Sequence, residues 1–440
     1  MSRTSRPASS AAIPAQRWRL CVMKTSKVQI AILVLLVGVY FLQVATPLRL
    51  NPETDTTSLL LIAESAASGS GFLIHGRATV FPPGYPALIM LLMKLHLAHV
   101  WMLIGINVVF LIIGLLAVRR LFSSMFSNRF VFGVILLSLL SFVTIKYSAL
   151  VLTDTVFFGV AMCALVAMQA AEARPTLRNL TVSFGLVIAA ICIRRIGVAL
   201  VPALLWVPIA QSQVRSYIGQ RVSGRMAAAI FGSTGLMISW VVYQTSTLSD
   251  FTKLFRGHTI IEAASVVWSF RLTELAEITI NLPHAALPAM AQQFHVFFFV
   301  GAMTLALTLG GIAIRLKQFC ALDAFFISYL AVLLVWPYYD PRFWLPVVPL
   351  LIAYCGLSLR PAIQNRFTRK ALAGYLMMFS VVGLSALTSN TLMSYSDRST
   401  FGDVFPVGSY RSAYCAASYC RDDHPSMIEP DVFHLLKAFR

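Results

Sequence analysis

The chain repeatedly presents uninterrupted apolar stretches that are about as long as a lipid bilayer is thick. A membrane-crossing α-helix needs about 20 predominantly apolar residues, and stretches such as Val28–Thr46 and His99–Val118 meet that requirement. Lipid offers the backbone no hydrogen-bond partners, so only helices and closed barrels can span it. Stretches of this length predict helices. The sequence therefore predicts an all-α polytopic membrane protein.

Composition excludes a soluble protein. Hydrophobic residues make up 58% of the chain and charged residues 12%, whereas soluble domains carry about 25% charged residues. The net charge of +18 would indicate nucleic-acid binding if the basic residues formed one patch. They lie instead in short clusters between apolar stretches, which is the pattern that sets membrane orientation. We expect no nucleic-acid partner and extensive contact with membrane lipids.

The number of crossings depends on Leu180–Ala210, where Arg194 and Arg195 interrupt 31 residues. A single helix of that length would measure about 46 Å and would hold two charges near the middle of a core about 30 Å thick. Two short passes with both arginines at the turn avoid this cost. Pro86–Leu97 is too short to cross and predicts an interfacial or re-entrant helix. The other expected spans are Phe130–Ile145, Thr155–Ala171, Met226–Tyr243, Phe294–Ile314, Ala321–Trp336, Phe343–Leu359 and Ala371–Leu387.

Together these stretches predict about eleven transmembrane helices. The positive-inside rule places a basic tail (residues 1–27) in the cytoplasm and the C-terminal tail (residues 389–440) outside. The membrane domain (residues 28–388) carries two large outer loops, residues 47–86 and 245–293. In the second loop, the amphipathic stretches Phe251–Phe255 and Ile260–Phe270 could lie along the interface. We expect a multi-pass protein of the inner (plasma) membrane whose functional acids face the outer, periplasmic side. There Cys415 and Cys420 could form a disulfide.

Chemistry-bearing residues gather at the expected outer edge of the membrane. Asp55 lies early in the first loop, and Asp154 lies between two spans at the same level. Asp55 could be an ordinary solvated acid, and Asp154 could be only a helix N-cap in Thr153-Asp154-Thr155. Paired with neighbouring cations, the same carboxylates would instead suit acid–base catalysis.

Five basic residues are expected on that same side, and beside carboxylates they would form a phosphate-binding cluster. Membrane-edge arginines also often extend to lipid headgroups without further function, and that alternative stays open. The five are Arg77, Lys146, Arg194, Arg195 and Arg342.

Several short motifs, in a fixed order, resemble the GT-C membrane glycosyltransferases, especially the protein mannosyltransferase and aminoarabinose transferase type. Asp55 is followed by an Ala-rich stretch and by Phe81-Pro82-Pro83-Gly84-Tyr85-Pro86. Arg194-Arg195-Ile196-Gly197 resembles the family's R-x-G turn, and Arg342-Phe343-Trp344-Leu345-Pro346 resembles its RF-x-x-P motif. The likeness extends over most of Val28–Leu359.

This resemblance implies a sugar donor carried on polyprenyl phosphate and a lipid, glycan or protein hydroxyl as acceptor. Asp55 would be the general base for an inverting transfer, with Asp154 as a second catalytic acid and the cations holding the phosphate. Tyr85 and Tyr339 would contact substrate. Thr56 and Thr57 follow Asp55 where the family often has Asp-Glu, so a requirement for a divalent metal stays open and no metal-binding residue is predicted.

Two other functions are compatible with such a chain. A transporter or lipid flippase would place charges along a path through the membrane and typically shows repeated halves, which this sequence lacks. An O-antigen ligase or polymerase would concentrate its functional residues in a large late loop, whereas here the informative loop is the first one.

Overall fold

A computed structural model describes residues 27–44, 55–74, 76–79, 81–210, 259–283 and 295–395. Four sequence predictions lie outside these residues. They concern the basic N-terminal tail, the span Met226–Tyr243, the amphipathic stretch Phe251–Phe255 and the cysteine pair Cys415 and Cys420.

The described chain is almost entirely helical. The first part consists of α1 (Lys27–Val44), α2 (Asp55–Ala67), a hairpin of β1 (Leu73–Ile74) and β2 (Arg77–Ala78), and α3 (Gly84–Lys94). The middle part consists of α4 (Val100–Phe122), α5 (Asn128–Leu139), α6 (Phe142–Ser148), α7 (Thr153–Ala173), α8 (Leu177–Ile193) and α9 (Leu200–Ala210). The last part consists of α10 (Ile260–Ile280), α11 (Val296–Arg315), α12 (Ala321–Leu334), α13 (Val348–Leu359) and α14 (Arg366–Tyr395). Helix α7 packs between α4 and α8, and α11 packs between α10 and α13.

Fewer helices are long enough to cross a membrane than the eleven that the sequence predicts. Within the described residues, five spans have the required length and apolarity, and the bent pair of α5 and α6 would be a sixth. Five further apolar helices are only 10–17 residues long. The count of eleven is therefore not confirmed, because several expected spans are short or bent helices that do not reach the usual length of a crossing.

The predicted break between Leu180 and Ala210 is confirmed, and it falls at the two arginines. Helix α8 ends at Ile193, Arg194 has an extended backbone, and a 3₁₀ turn, Arg195–Ala199, leads into α9. Gly197 allows this turn to lie against α8, since a Cβ atom there would come within 2.7 Å of the Ala190 backbone. The R-x-G motif is thus a sharp corner between two helices.

The region predicted as a central outer loop, residues 245–293, contains a long helix. Helix α10 begins with a capping box formed by Thr259 and Glu262 and continues to Ile280. We expected the stretch Ile260–Phe270 to lie along the interface. Its first turn is exposed, but the second half of α10 is buried and packs along α11. Tertiary packing determines where α10 lies. It buries three ionisable residues that the sequence pattern predicts to lie in a loop.

The last described helix continues nearly two turns beyond Ser389, the expected start of the C-terminal tail. Helix α14 continues to Tyr395, and Asn390 is buried, where its side chain donates a 2.9 Å hydrogen bond to Gln43 of α1. This buried amide pair holds the last described helix against the first one.

A buried ion pair fixes the turn between α11 and α12. Arg315 at the end of α11 lies 2.8 Å from Asp323 in the first turn of α12, and Asp323 also accepts hydrogen bonds from the Cys320 backbone and from Tyr354. Helix α12 has 14 residues and is therefore about 21 Å long. This ion pair lies at the start of α12, whereas Asp340 and Arg342 follow the other end of that helix.

Candidate active site

Asp55, the first residue of α2, forms an ion pair with Arg342 across most of the chain. The Oδ2 atom of Asp55 lies 2.6 Å from Nη2 of Arg342. The side chain of Asp55 is 37% exposed and that of Arg342 is 16% exposed, so a substrate can reach the carboxylate while the guanidinium is largely enclosed. The two residues that the resemblance pairs as base and phosphate ligand are therefore in direct contact.

A second carboxylate shares the same guanidinium. Asp340 pairs with Nε of Arg342, and its carboxylate also accepts a 3.1 Å hydrogen bond from the Arg342 backbone N–H. The 3₁₀ helix Pro341–Val347 begins at this point. Burial raises the pKa of Asp340, and the positive charge of Arg342 acts in the opposite direction. Arg342 thus bridges two acids, of which Asp55 is the more accessible.

Asp154 pairs with Arg194, and this contact corrects the interpretation of Asp154 as a helix cap. The N-cap position of α7 is Leu152, and no side chain caps that end. Asp154 lies in the first turn of the helix and is 1% exposed, while Arg194 at the corner between α8 and α9 is 10% exposed. A buried acid needs a partner charge, and Arg194 supplies it. Asp154 Oδ2 accepts no hydrogen bond from the described residues.

The aromatic ring of Phe343 connects the two acid–arginine pairs. The guanidinium carbon of Arg194 lies 4.6 Å from the ring centre, and that of Arg342 lies 5.3 Å from it. Both distances are within the range of cation–π attraction. Tyr329 of α12 fixes this part of the chain by donating a 2.7 Å hydrogen bond to the Phe343 carbonyl oxygen. We call Asp55, Asp154, Arg194, Arg342 and Phe343 the paired-acid cluster.

Thr56, next to Asp55, joins α2 to the segment that leads into α7. Its hydroxyl donates a 2.9 Å hydrogen bond to the carbonyl oxygen of Val151, three residues before Asp154. Asn107 of α4 donates to the neighbouring carbonyl of Leu150. Both donors are buried. The hydrogen bond from Thr56 therefore fixes α2, which carries Asp55, against the segment that leads into α7, which carries Asp154.

The Pro-Pro-Gly motif positions α3 beside the arginine corner. A Cβ atom on Gly84 would lie 2.7 Å from the carbonyl oxygen of Cys192, so only glycine allows this approach. Tyr85, which we predicted to contact substrate, is 1% exposed. Its hydroxyl has no hydrogen-bond partner among the described residues. The motif thus brings the start of α3 to the end of α8.

The other sequence-predicted residues surround the cluster at different depths. Lys146 in α6 is half-buried, lies 5.2 Å from the Tyr147 ring centre and interacts electrostatically with Asp340. Arg195 is half-buried in the 3₁₀ turn, and Arg77 is exposed in the hairpin. Tyr339 is 42% exposed and donates a hydrogen bond to Glu277. The structure brings Lys146 and Tyr339 close to Asp340, and it gives Arg77 no contact with the paired-acid cluster.

Helix α10 contributes a set of charged residues that the sequence analysis missed. Arg271, Glu274 and Glu277 recur every third position, lie on one face of α10 and are at most 1% exposed. Glu274 accepts hydrogen bonds from Arg271, from the backbone N–H of Asp340 and from the Trp344 indole. The three-residue spacing of these charges was the available signal, and the loop prediction for residues 245–293 obscured it.

The buried surroundings of Glu274 change its pKa. Burial raises the pKa of Glu274 to about 7 from an ordinary 4.5, although the Arg271 guanidinium and the N–H groups of Trp344 and Asp340 act in the opposite direction.

Among the described residues, no three His, Cys, Asp or Glu side chains come together as a metal site.

The overall fold is similar to that of a solved membrane protein. ArnT from Cupriavidus metallidurans, an aminoarabinose transferase, superimposes with a TM-score of 0.50 at 14% identity, both bound to undecaprenyl phosphate and in the apo state. The aligned region is 92% of this chain and 84% of ArnT for the lipid-bound structure, and 93% and 84% for the apo structure.

A weaker similarity is to the archaeal oligosaccharyltransferase AglB from Archaeoglobus fulgidus in complex with an inhibitory peptide and a dolichol-phosphate. Its TM-score is 0.45 at 13% identity, over 90% of this chain and 58% of AglB. No protein-family model and no curated protein sequence matches the chain. The protein is therefore a multi-pass membrane protein whose fold is similar to that of ArnT.

Proposed function

We propose that the protein is a membrane glycosyltransferase that moves a sugar from a polyprenyl-phosphate carrier to an acceptor hydroxyl at the outer face of the membrane. The observation that carries this proposal is the contact between Asp55 and Arg342, 2.6 Å apart, beside the second pair of Asp154 and Arg194. An accessible acid adjoining enclosed arginines combines a proton acceptor with an anion site.

The reaction would begin with exchange of partners at Arg342. A carrier phosphate competes with Asp55 for the guanidinium, and its arrival releases the Asp55 carboxylate to face the acceptor. The acceptor oxygen then attacks the anomeric carbon while its proton passes to Asp55. The bond between that carbon and the phosphate oxygen breaks, and the electron pair leaves with the phosphate. Attack opposite the leaving group inverts the anomeric centre.

The arginines would act mainly in the transition state. The carrier phosphate has one negative charge as a diester and gains a second as the sugar leaves. Interactions that strengthen as charge develops lower the barrier rather than only tightening binding. Arg194 and Arg342 are held by Phe343 before any substrate arrives, so little reorganisation is needed.

Asp154 would hold Arg194 in place and not act as a second base. It is 1% exposed, which makes it a poor acceptor of a proton from an external hydroxyl. Lys146 and Arg195 would extend the positive surface toward the phosphate. Tyr339 would line the substrate region, whereas Tyr85 is 1% exposed and would not reach the substrate in this arrangement. Arg77 would contact the lipid headgroup from the exposed hairpin.

The test is sugar transfer by the purified protein in proteoliposomes with a radiolabelled sugar on polyprenyl phosphate. A panel of donors with different sugars, with a nucleotide sugar as the control donor, is offered with a total lipid extract as acceptor. We expect transfer from at least one lipid-linked donor and none from the nucleotide sugar. Transfer only from the nucleotide sugar, or from neither class, would contradict the proposal.

A further inference from the structure

Glu274 of α10 holds both ends of the short segment that carries Arg342. Its Oε1 atom accepts a 2.6 Å hydrogen bond from the backbone N–H of Asp340, and its Oε2 atom accepts a 2.7 Å hydrogen bond from Nε1 of Trp344. Arg342 lies midway between these two residues. A single carboxylate therefore fixes the chain on either side of the guanidinium.

The connection is buried and rigid. Glu274 and Trp344 are each 0% exposed. Arg271 lies 2.8 Å from Oε1 of Glu274 and also donates to the Tyr338 carbonyl oxygen, two residues before Asp340. Hydrogen bonds to charged groups in a water-excluded site are stronger than neutral ones. Hydrogen bonds to α10, in addition to those within its own 3₁₀ helix, thus hold the segment Asp340–Trp344 in place.

Arg342 in turn depends on this segment for its position. The guanidinium reaches from the 3₁₀ helix to Asp55 on α2, and the Asp340 carboxylate holds its Nε atom. Rotation of the Asp340 backbone would move the carboxylate and, with it, the guanidinium. A small displacement at a reacting centre costs much of the rate.

We infer that Glu274 is a positioning residue that sets where the Arg342 guanidinium meets the carrier phosphate. The inference rests on the proposed function. Glu274 touches no substrate; it acts through the Asp340 backbone and the Trp344 indole.

The variant Glu274→Gln, assayed at pH 8 where the Glu274 carboxylate is ionised, tests this with little change in volume. The amide oxygen can still accept from Asp340 and Arg271, but the amide nitrogen cannot accept from the Trp344 indole N–H, so two donors face each other. We expect the donor KM to rise about tenfold and kcat to fall as well, because Arg342 contacts the phosphate in the bound donor and more strongly as its charge grows in the transition state.

Replacing Trp344 by Phe removes the opposing donor. In the Glu274→Gln background this second change should recover much of the lost donor affinity, so the two effects are non-additive. The matched control is Glu262→Gln, which makes the same chemical change on the exposed first turn of α10. We expect the donor KM of this control to equal that of the wild type.

A second readout is the affinity of the purified protein for polyprenyl phosphate without sugar, measured by microscale thermophoresis. We expect Glu274→Gln to weaken it about tenfold. A lower melting temperature with unchanged KM and unchanged polyprenyl phosphate affinity per folded molecule would show a structural role only and overturn the inference. If the wild type transfers no sugar, the proposed function fails, and the polyprenyl phosphate affinities still decide the role of Glu274.

Discussion

The Asp55 carboxylate lies 2.6 Å from the Arg342 guanidinium, although one residue begins α2 and the other lies in the 3₁₀ helix before α13. While the two are paired, the Asp55 carboxylate and the Arg342 guanidinium occupy each other and not a substrate. We interpret this pair as the resting site, in which an incoming phosphate would bind the guanidinium and free the carboxylate.

Replacing Arg342 by Lys should raise the donor KM and lower kcat. Lysine keeps the positive charge but is a point donor, whereas the arginine fork holds Asp55 and Asp340 at once. We expect kcat/KM to fall by about tenfold to a hundredfold, since a charge-assisted hydrogen bond contributes about 1.5–3 kcal/mol. Steady-state kinetics with the lipid-linked donor measure it. Wild-type values of both constants would indicate that Arg342 only extends to headgroups.

Replacing Asp154 by Asn should lower both stability and activity. A capping role alone, the alternative that the sequence leaves open, would cost only about 1 kcal/mol. The structure instead places Asp154 against Arg194 at 1% exposure, and leaving one buried charge without its partner costs about 3–5 kcal/mol. We expect a clear fall in melting temperature in detergent, together with reduced transfer per folded molecule. A melting temperature equal to that of the wild type would contradict the buried ion pair of Asp154 and Arg194.

The sequence predicts the helical fold and the break at the arginine corner for physical reasons. Apolar length predicts the helices, and the cost of two charges in a bilayer predicts the break at Arg194 and Arg195. The contact between Asp55 and Arg342 could not be predicted, because hydrophobic periodicity carries no information about which distant loops meet. Glu274 was missed because a helix with buried charges resembles a polar loop when its partners are unknown.

Glu274 also makes stability depend on pH. Burial raises its pKa to about 7 from 4.5, so between these values the folded protein binds a proton that the unfolded chain has released. The contribution of Glu274 to stability is therefore fully present below about pH 4.5 and is lost as the pH rises through about 7. Glutamine does not titrate in this range.

The melting temperature of the wild type minus that of Glu274→Gln measures this dependence. We expect the difference to be larger at pH 5 than at pH 7.5. The melting temperature of the wild type minus that of Glu262→Gln should be the same at pH 5 and at pH 7.5. A difference that grows toward pH 7.5 would mean that the carboxylate is held ionised by Arg271 and would reverse the sign.

The proposed site requires that α2 and the hairpin face the outer side of the membrane. Ser70 is exposed beyond α2, and Lys317 is exposed between α11 and α12. In a chain without native cysteines, Ser70→Cys should react with a membrane-impermeant maleimide in intact cells, and Lys317→Cys should react only after lysis. The opposite labelling would place Asp55 on the cytoplasmic side and require a different donor.

The central claim is that Asp55 takes the proton of the acceptor. The direct measurement is single-turnover sugar transfer by Asp55→Asn at saturating lipid-linked donor, beside Asp323→Asn as the control. Asp323 is also paired with an arginine, but it lies at the far end of α12. An amide cannot accept the proton, so we predict that Asp55→Asn slows transfer by about a hundredfold or more and still binds polyprenyl phosphate. Asp323→Asn should lose stability but keep transfer per folded molecule. Near-wild-type transfer by Asp55→Asn would contradict the account.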